Sequence, residues 1–169
     1  NIQTPYDEQS EQGVCGAVMV GGFPTYRQCA AVLETHDFFL LRLRYVWEAF
    51  ERCVGQGQDI DYLTVCAAMK DSGKLSEIGG PAYLTQLINM SVSHLHGLSY
   101  AYTVRLCGIR RRGMAFADQI KSGCVDTSVG IHISMAQMAA DFNQWMAELP
   151  NTTTETAAQV SNDILQDLY

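Results

Sequence analysis

The sequence predicts an all-α fold: a globular helical bundle, then an antiparallel helical hairpin, then the start of a linker helix. Three observations carry this expectation. Apolar residues recur at helical spacing over nearly the whole chain, while no β-branched run alternates with polar residues and no Asn-Gly or Asp-Gly pair offers a hairpin turn. Helix starts and stops follow one another in order between Gln58 and Leu87. Beyond residue 100, two segments carry apolar or small residues at alternating steps of four and three, the pattern of a coiled-coil seam. The expected divisions are 1–97 for the globular part, 98–150 for the hairpin, and 151–169 for the linker and the beginning of its helix.

Asp7 suits the N-cap of a first helix, because its carboxylate can accept the unpaired N–H groups of the opening turn. That helix would turn Val14, Cys15, Val18 and Met19 inward and stop at Gly21-Gly22 and Pro24. A second helix is expected over Tyr26 to Leu33. A third is expected over Leu41 to Val54, with Tyr45, Val46, Phe50 and Cys53 as its buried stripe. Gly55 to Gln58 reads as a loop. Asp61 caps the next helix, along which Tyr62, Val65, Cys66 and Met69 recur, and Gly73 can close it in the left-handed conformation. Gly79-Gly80 permits a sharp turn. Pro81 opens a helix to Asn89 at the one position where a missing N–H is harmless.

The first arm of the hairpin carries Tyr102, Leu106, Ile109, Gly113, Phe116 and Ile120, and Gly123 is expected to end it. The second carries Ile131, Met135, Met138, Phe142, Trp145 and Leu149. Such a hairpin hides one narrow seam in itself. Met114, Ile133 and Met146 then need cover, either from the globular part or from another subunit. Pro150 and Asn151 to Thr154 form a linker with a choice of N-caps. Glu155 to Tyr169 is amphipathic, with Ala157, Val160, Ile164, Leu165 and Leu168 on one side, and is expected to dock on whatever follows it.

At 169 residues and 47% hydrophobic content, the chain can bury a core of its own. A net charge of −7 argues against a dedicated DNA-binding domain, which would usually be basic. Cys15, Cys29, Cys53, Cys66, Cys107 and Cys124 form no C-x-x-C pair and fall within helical patterns. They read as reduced, buried thiols rather than a disulfide framework. No signal peptide and no bilayer-length apolar run occurs, since Val14 to Phe23 is too short and too glycine-rich. A cytoplasmic protein without membrane contact is expected. The start at Asn1 rather than Met is what a processed or recombinant piece would show, and the triplets at Asn89 and Asn151 read as chance glycosylation matches.

No catalytic, cofactor-binding or metal-ligating set emerges. A P-loop needs G-x-x-x-x-G-K-[ST], and both glycine pairs lead into proline with no lysine in place, so ATP hydrolysis by these residues is not expected. His94 and His96 lack a third ligand nearby, and no E-x-x-H or G-x-S-x-G pattern occurs. Asp61 reads as a cap and Asp59 as exposed. Arg110-Arg111-Arg112 is the only concentrated positive charge, open to three readings: a solvated helix face, an intersubunit or partner contact, or a phosphate contact.

Several separated blocks resemble the amino-terminal domain of DnaB-type replicative helicases. Pro5 to Met19 is similar to that family's opening, with Glu11-Gln12, Val14 and Gly16 aligned. Asp37-Phe38-Phe39, Arg44 to Trp47, Asp59 to Thr64 and Tyr100 to Arg105 resemble further blocks. Leu75 with Ile78-Gly79-Gly80-Pro81-Ala82-Tyr83-Leu84 is the most specific. Glu8 stands where the family is usually apolar, Met90 to His94 lacks the family's proline, and the loop after Gly123 and the threonine-rich linker diverge. Such drift fits a phage, a mobile element or a distant bacterium.

The resemblance implies a non-catalytic domain whose hairpins pair between subunits into a collar of three dimers on a hexameric ring. It also implies primase docking, a helicase loader as a further partner, and a separate RecA-like motor domain that uses ATP and Mg and contacts DNA. The heptad pattern proposes Tyr102, Leu106, Ile109, Phe116, Met135, Met138, Phe142 and Trp145 as the pairing surface. Replacing Phe142 and Trp145 with Asp should then split the dimer, or unfold the hairpin if both lie inside it. The competing expectations are a stand-alone helical scaffold or regulator, a helix-turn-helix DNA binder, and a small helical enzyme.

Overall fold

The computed structural model describes residues 3–91, 94–126, 128 and 130–147. These residues form six α-helices and two 3-10 turns, with no strand among them, as the periodicity predicts. The helices are α1 (Glu8–Ala30), α2 (Leu41–Gly55), α3 (Tyr62–Asp71), α4 (Pro81–Met90), α5 (Gly97–Val125) and α6 (Ile131–Ala147). The turns are Thr35–Asp37 and His94–His96. The chain divides into two compact units, Asn1–Met114 and Ala115–Tyr169, with the boundary inside α5. It falls later than the expected 97/98 because the first half of α5 packs Ala101 and Val104 into the core of the globular unit.

Asp7 caps α1 by accepting the Ser10 N–H at 2.7 Å. The expected stop falls at Gly22, where two helical stretches meet at a kink. Gly22 alone leaves helical geometry, at φ 64° and ψ −153°, and the helix resumes through Pro24 to Ala30. The proline has no N–H to lose there, so a single left-handed residue joins the two expected helices. The second part ends before Leu33, where the chain turns toward Thr35–Asp37.

Asp61 caps α3 and forms a reciprocal box with Thr64, whose N–H reaches the Asp61 carboxylate at 2.9 Å. Gly79 and Gly80, at φ 101° and 78°, make the turn into Pro81 at the head of α4. On α2, Val46, Phe50 and Cys53 are buried as expected, whereas Tyr45 is only half-buried beneath the Lys74 ammonium. The centre of that stripe is Trp47, which packs on Tyr26 and Phe38 at 5.3 Å and on Phe50 at 5.8 Å.

Gly123 does not end α5, which continues to Val125. Its bare Cα instead admits the Met138 methyl of α6. The segment from 148 onward, including Leu149, the linker and its helix, lies outside the described residues.

Candidate functional site

The hairpin unit holds most of the predicted pairing residues. Phe116 lies 5.8 Å from Phe142 and 6.5 Å from Trp145, and Phe142 lies 5.7 Å from Trp145, ring centre to ring centre. Gln119 and Gln137 donate to the Asp141 carboxylate at 2.7 and 2.9 Å. The aromatic part of the heptad pattern thus forms a seam within the hairpin.

No residue of α6 is buried, although the helix is rich in large apolar side chains. Ile131, Met135, Phe142 and Met146 fall on one side of it by helical spacing and are 49, 58, 42 and 44% exposed. Met138 and Trp145 are half-buried. Ile133 stands on the opposite side of α6 at 68% exposure. Of the predicted residues in the globular unit, Leu106 is exposed and Tyr102 half-buried. Ile109, at 3% exposure, is buried within the chain and leaves the candidate surface.

The arginine run divides in the same way. Arg110 is exposed. Arg111 and Arg112 face inward and brace the globular unit. Arg112 donates to the wholly buried Asp37 carboxylate at 2.8 Å, and Arg105, two turns earlier on α5, donates to it at 3.0 and 3.2 Å. Arg111 donates to the backbone carbonyls of Pro5 and Asp37. Gly108 lies between these arginines, where a Cβ would collide with the Asp37 side chain.

A second buried acid completes the brace. Glu11 of α1 is fully buried and accepts the N–H groups of Phe39 and Leu40 at 2.8 and 3.0 Å. Leu40 has no cap from its own side chain, so Glu11 caps α2 from another helix. Burial pushes the Glu11 carboxyl above its ordinary range, against the pull of those two N–H groups and of Arg111 and Arg44.

Sequence reasoning placed Glu11 and Asp37 only in blocks of resemblance, without a role. Glu11 stands among Gln9, Ser10 and Gln12, and Asp37 follows Thr35 and His36, so neither context signals burial. His94 and His96 sit exposed on their 3-10 turn. Cys15, Cys29, Cys53 and Cys107 are buried, while Cys66 is half-buried and Cys124 exposed, against the expectation of buried thiols throughout.

The model of the "DnaB-like helicase N terminal domain" family matches residues 3–105. The chain belongs to this family. The replicative DNA helicase DnaB of Pasteurella multocida is 26% identical over 127 residues, which is 75% of this chain and 27% of that protein. That of Haemophilus influenzae is 28% identical over 116 residues, 69% of this chain and 25% of that protein. The chain therefore spans about a quarter of the length of these DnaB relatives.

Among solved structures, the N-terminal domain of DnaB helicase from Mycobacterium tuberculosis superposes with a TM-score of 0.78 at 24% identity, covering 84% of this chain and 99% of that one. A DnaB-like replicative helicase, described with its interactions with primase, superposes at 0.66 and 19% identity, covering 94% and 34%. Both show a shared fold. Glu11, Asp37 and Arg105 all lie within the residues matching the DnaB-like domain. No described helix is long and apolar enough to cross a membrane.

Proposed function

We propose that these residues serve as the non-catalytic N-terminal collar of a hexameric, ATP-dependent replicative DNA helicase of the cytoplasm. In this reading the hairpins join protomers into dimers, three dimers form the ring's collar, and the collar docks primase and a helicase loader. ATP and Mg belong to the motor part of such a helicase, which also makes most of the DNA contact. No cofactor is assigned to these residues.

The observation that best supports pairing is α6, a helix with no buried residue and an apolar side of Ile131, Met135, Phe142 and Met146. An exposed apolar helical face of this kind marks an interaction surface. The family match and the 19%-identical neighbour described with primase support the remainder.

Sedimentation of the chain tests the pairing. The wild type should sediment as a dimer or larger species at micromolar concentration. The double substitution Met135→Asp and Met146→Asp should sediment as a monomer with unchanged helical circular dichroism. A wild type that stays monomeric at high concentration refutes the reading. Primase docking is tested separately by calorimetric titration of primase into the assembled chain, where absence of heat removes that part alone.

A further inference from the structure

One guanidinium on α5 pins two distant stretches of chain. Arg111 donates from Nη1 to the Pro5 carbonyl at 2.7 Å and from Nη2 to the Asp37 carbonyl. Its Cζ stands 5.5 Å from the centre of the Phe39 ring. Tyr6 stacks on that ring at 4.6 Å, with 27° between the planes. Phe39 thus meets the cation and the second aromatic together.

The stretch Gln3–Tyr6 has no regular structure, and Gln3, Thr4 and Tyr6 are exposed. Among the described residues, no backbone–backbone hydrogen bond ties residues 3–6 to the rest of the chain. The following residue, Asp7, is fixed as the cap of α1. Among the described residues, side-chain contacts hold Gln3–Tyr6, and such a segment opens at far lower cost than a packed helix. Phe39 does not depend on the strap for its place, because Glu11 holds its N–H from the other side.

We propose that Gln3–Tyr6 is a strap latched by Arg111 and Phe39, and that it opens while the helical unit stays folded. Opening breaks the Arg111 bond to Pro5 and the stack on Tyr6, and leaves the Arg111 bond to Asp37 in place. The globular unit then presents an aromatic ring beside a guanidinium. The proposal does not depend on the oligomeric reading above.

Chymotrypsin reads the latch, because cleavage after Tyr6 requires the strap to leave its seat. Cleavage after Trp47, in the core of α2, reports global unfolding in the same digest. Mass spectrometry of the intact chain and of Arg111→Gln and Arg110→Gln gives both rates. In Arg111→Gln, cleavage after Tyr6 should rise at least tenfold more than cleavage after Trp47, and Arg110→Gln should match wild type. No rise at Tyr6, or an equal rise at both bonds, overturns the proposal. If Arg111→Gln does not fold, Phe39→Leu decides on the same two bonds, with a selective severalfold rise at Tyr6 as the supporting result and any other outcome as the refuting one.

Discussion

Replacing Asp37 with Asn removes a charge from the centre of the brace and changes almost nothing else. The carboxylate is wholly buried and pairs with Arg105 at 3.0 Å and Arg112 at 2.8 Å. It also accepts the Glu34 N–H at 2.9 Å, a bond the amide oxygen can keep. Removing one partner of a buried ion pair costs about 3–5 kcal/mol, because the other charge is left without its counterion. Here the two guanidinia keep 16 and 24% of their side-chain exposure, and Arg105 also lies 3.7 Å from Glu34. Residual hydration places the loss at the lower end, about 3 kcal/mol. That is a large share of a total on the order of 5–15 kcal/mol. It corresponds to a fall in Tm of roughly 10 °C for a unit of this size. Urea unfolding followed by far-ultraviolet circular dichroism gives the difference, with an unchanged slope as the check that compactness is preserved. A loss under about 1 kcal/mol would show that the arginines find equal partners elsewhere, and the brace would not be what holds α5 to its unit.

Gly108→Ala should destabilise by about 1–3 kcal/mol, since the new methyl meets the Asp37 side chain and Cα rather than a side-chain tip free to move; an unchanged urea midpoint would contradict the close approach. Burial raises the Glu11 carboxyl above 4.5, so the native state holds this proton more tightly than the unfolded chain does. The resulting stability is present below pH 4.5 and lost as pH climbs through the native value. Wild type measured against Glu11→Gln should therefore lose relative stability as pH rises from the ordinary carboxyl range, and parallel curves would refute the assignment. Burial likewise pushes the Cys29 thiol up to about 12 and the Cys15 thiol well above its usual value. Iodoacetamide at neutral pH should label the exposed Cys124 first and reach Cys15 and Cys29 only in denaturant, as peptide mass mapping will record.

Local grammar was legible without any structure. The caps at Asp7 and Asp61, the turn at Gly79-Gly80 and the start at Pro81 involve residues within four positions of one another, so composition and spacing suffice. Gly22 obeys the same grammar, since a positive-φ glycine two residues before Pro24 separates the two expected helical stretches. Gly123 shows the limit of that grammar. It answers to Met138 on the facing helix, not to a turn of its own. Trp47 escaped notice because a stripe drawn through Tyr45, Val46, Phe50 and Cys53 already satisfies helical periodicity.

The sequence alone determined the helical class, the order of the helices, most of their ends and the family, because hydrophobic period and capping chemistry act over a few residues. Only the tertiary structure decided the fate of the charges. Three adjacent arginines look alike on paper, yet Arg110 meets water while Arg111 and Arg112 close on Asp37, some seventy positions earlier in the chain. Ile109 and Phe142 both stand in heptad patterns, yet the first is buried and the second is 42% exposed. A periodic pattern identifies the face a helix buries; what covers that face depends on contacts between residues that spacing does not bring together.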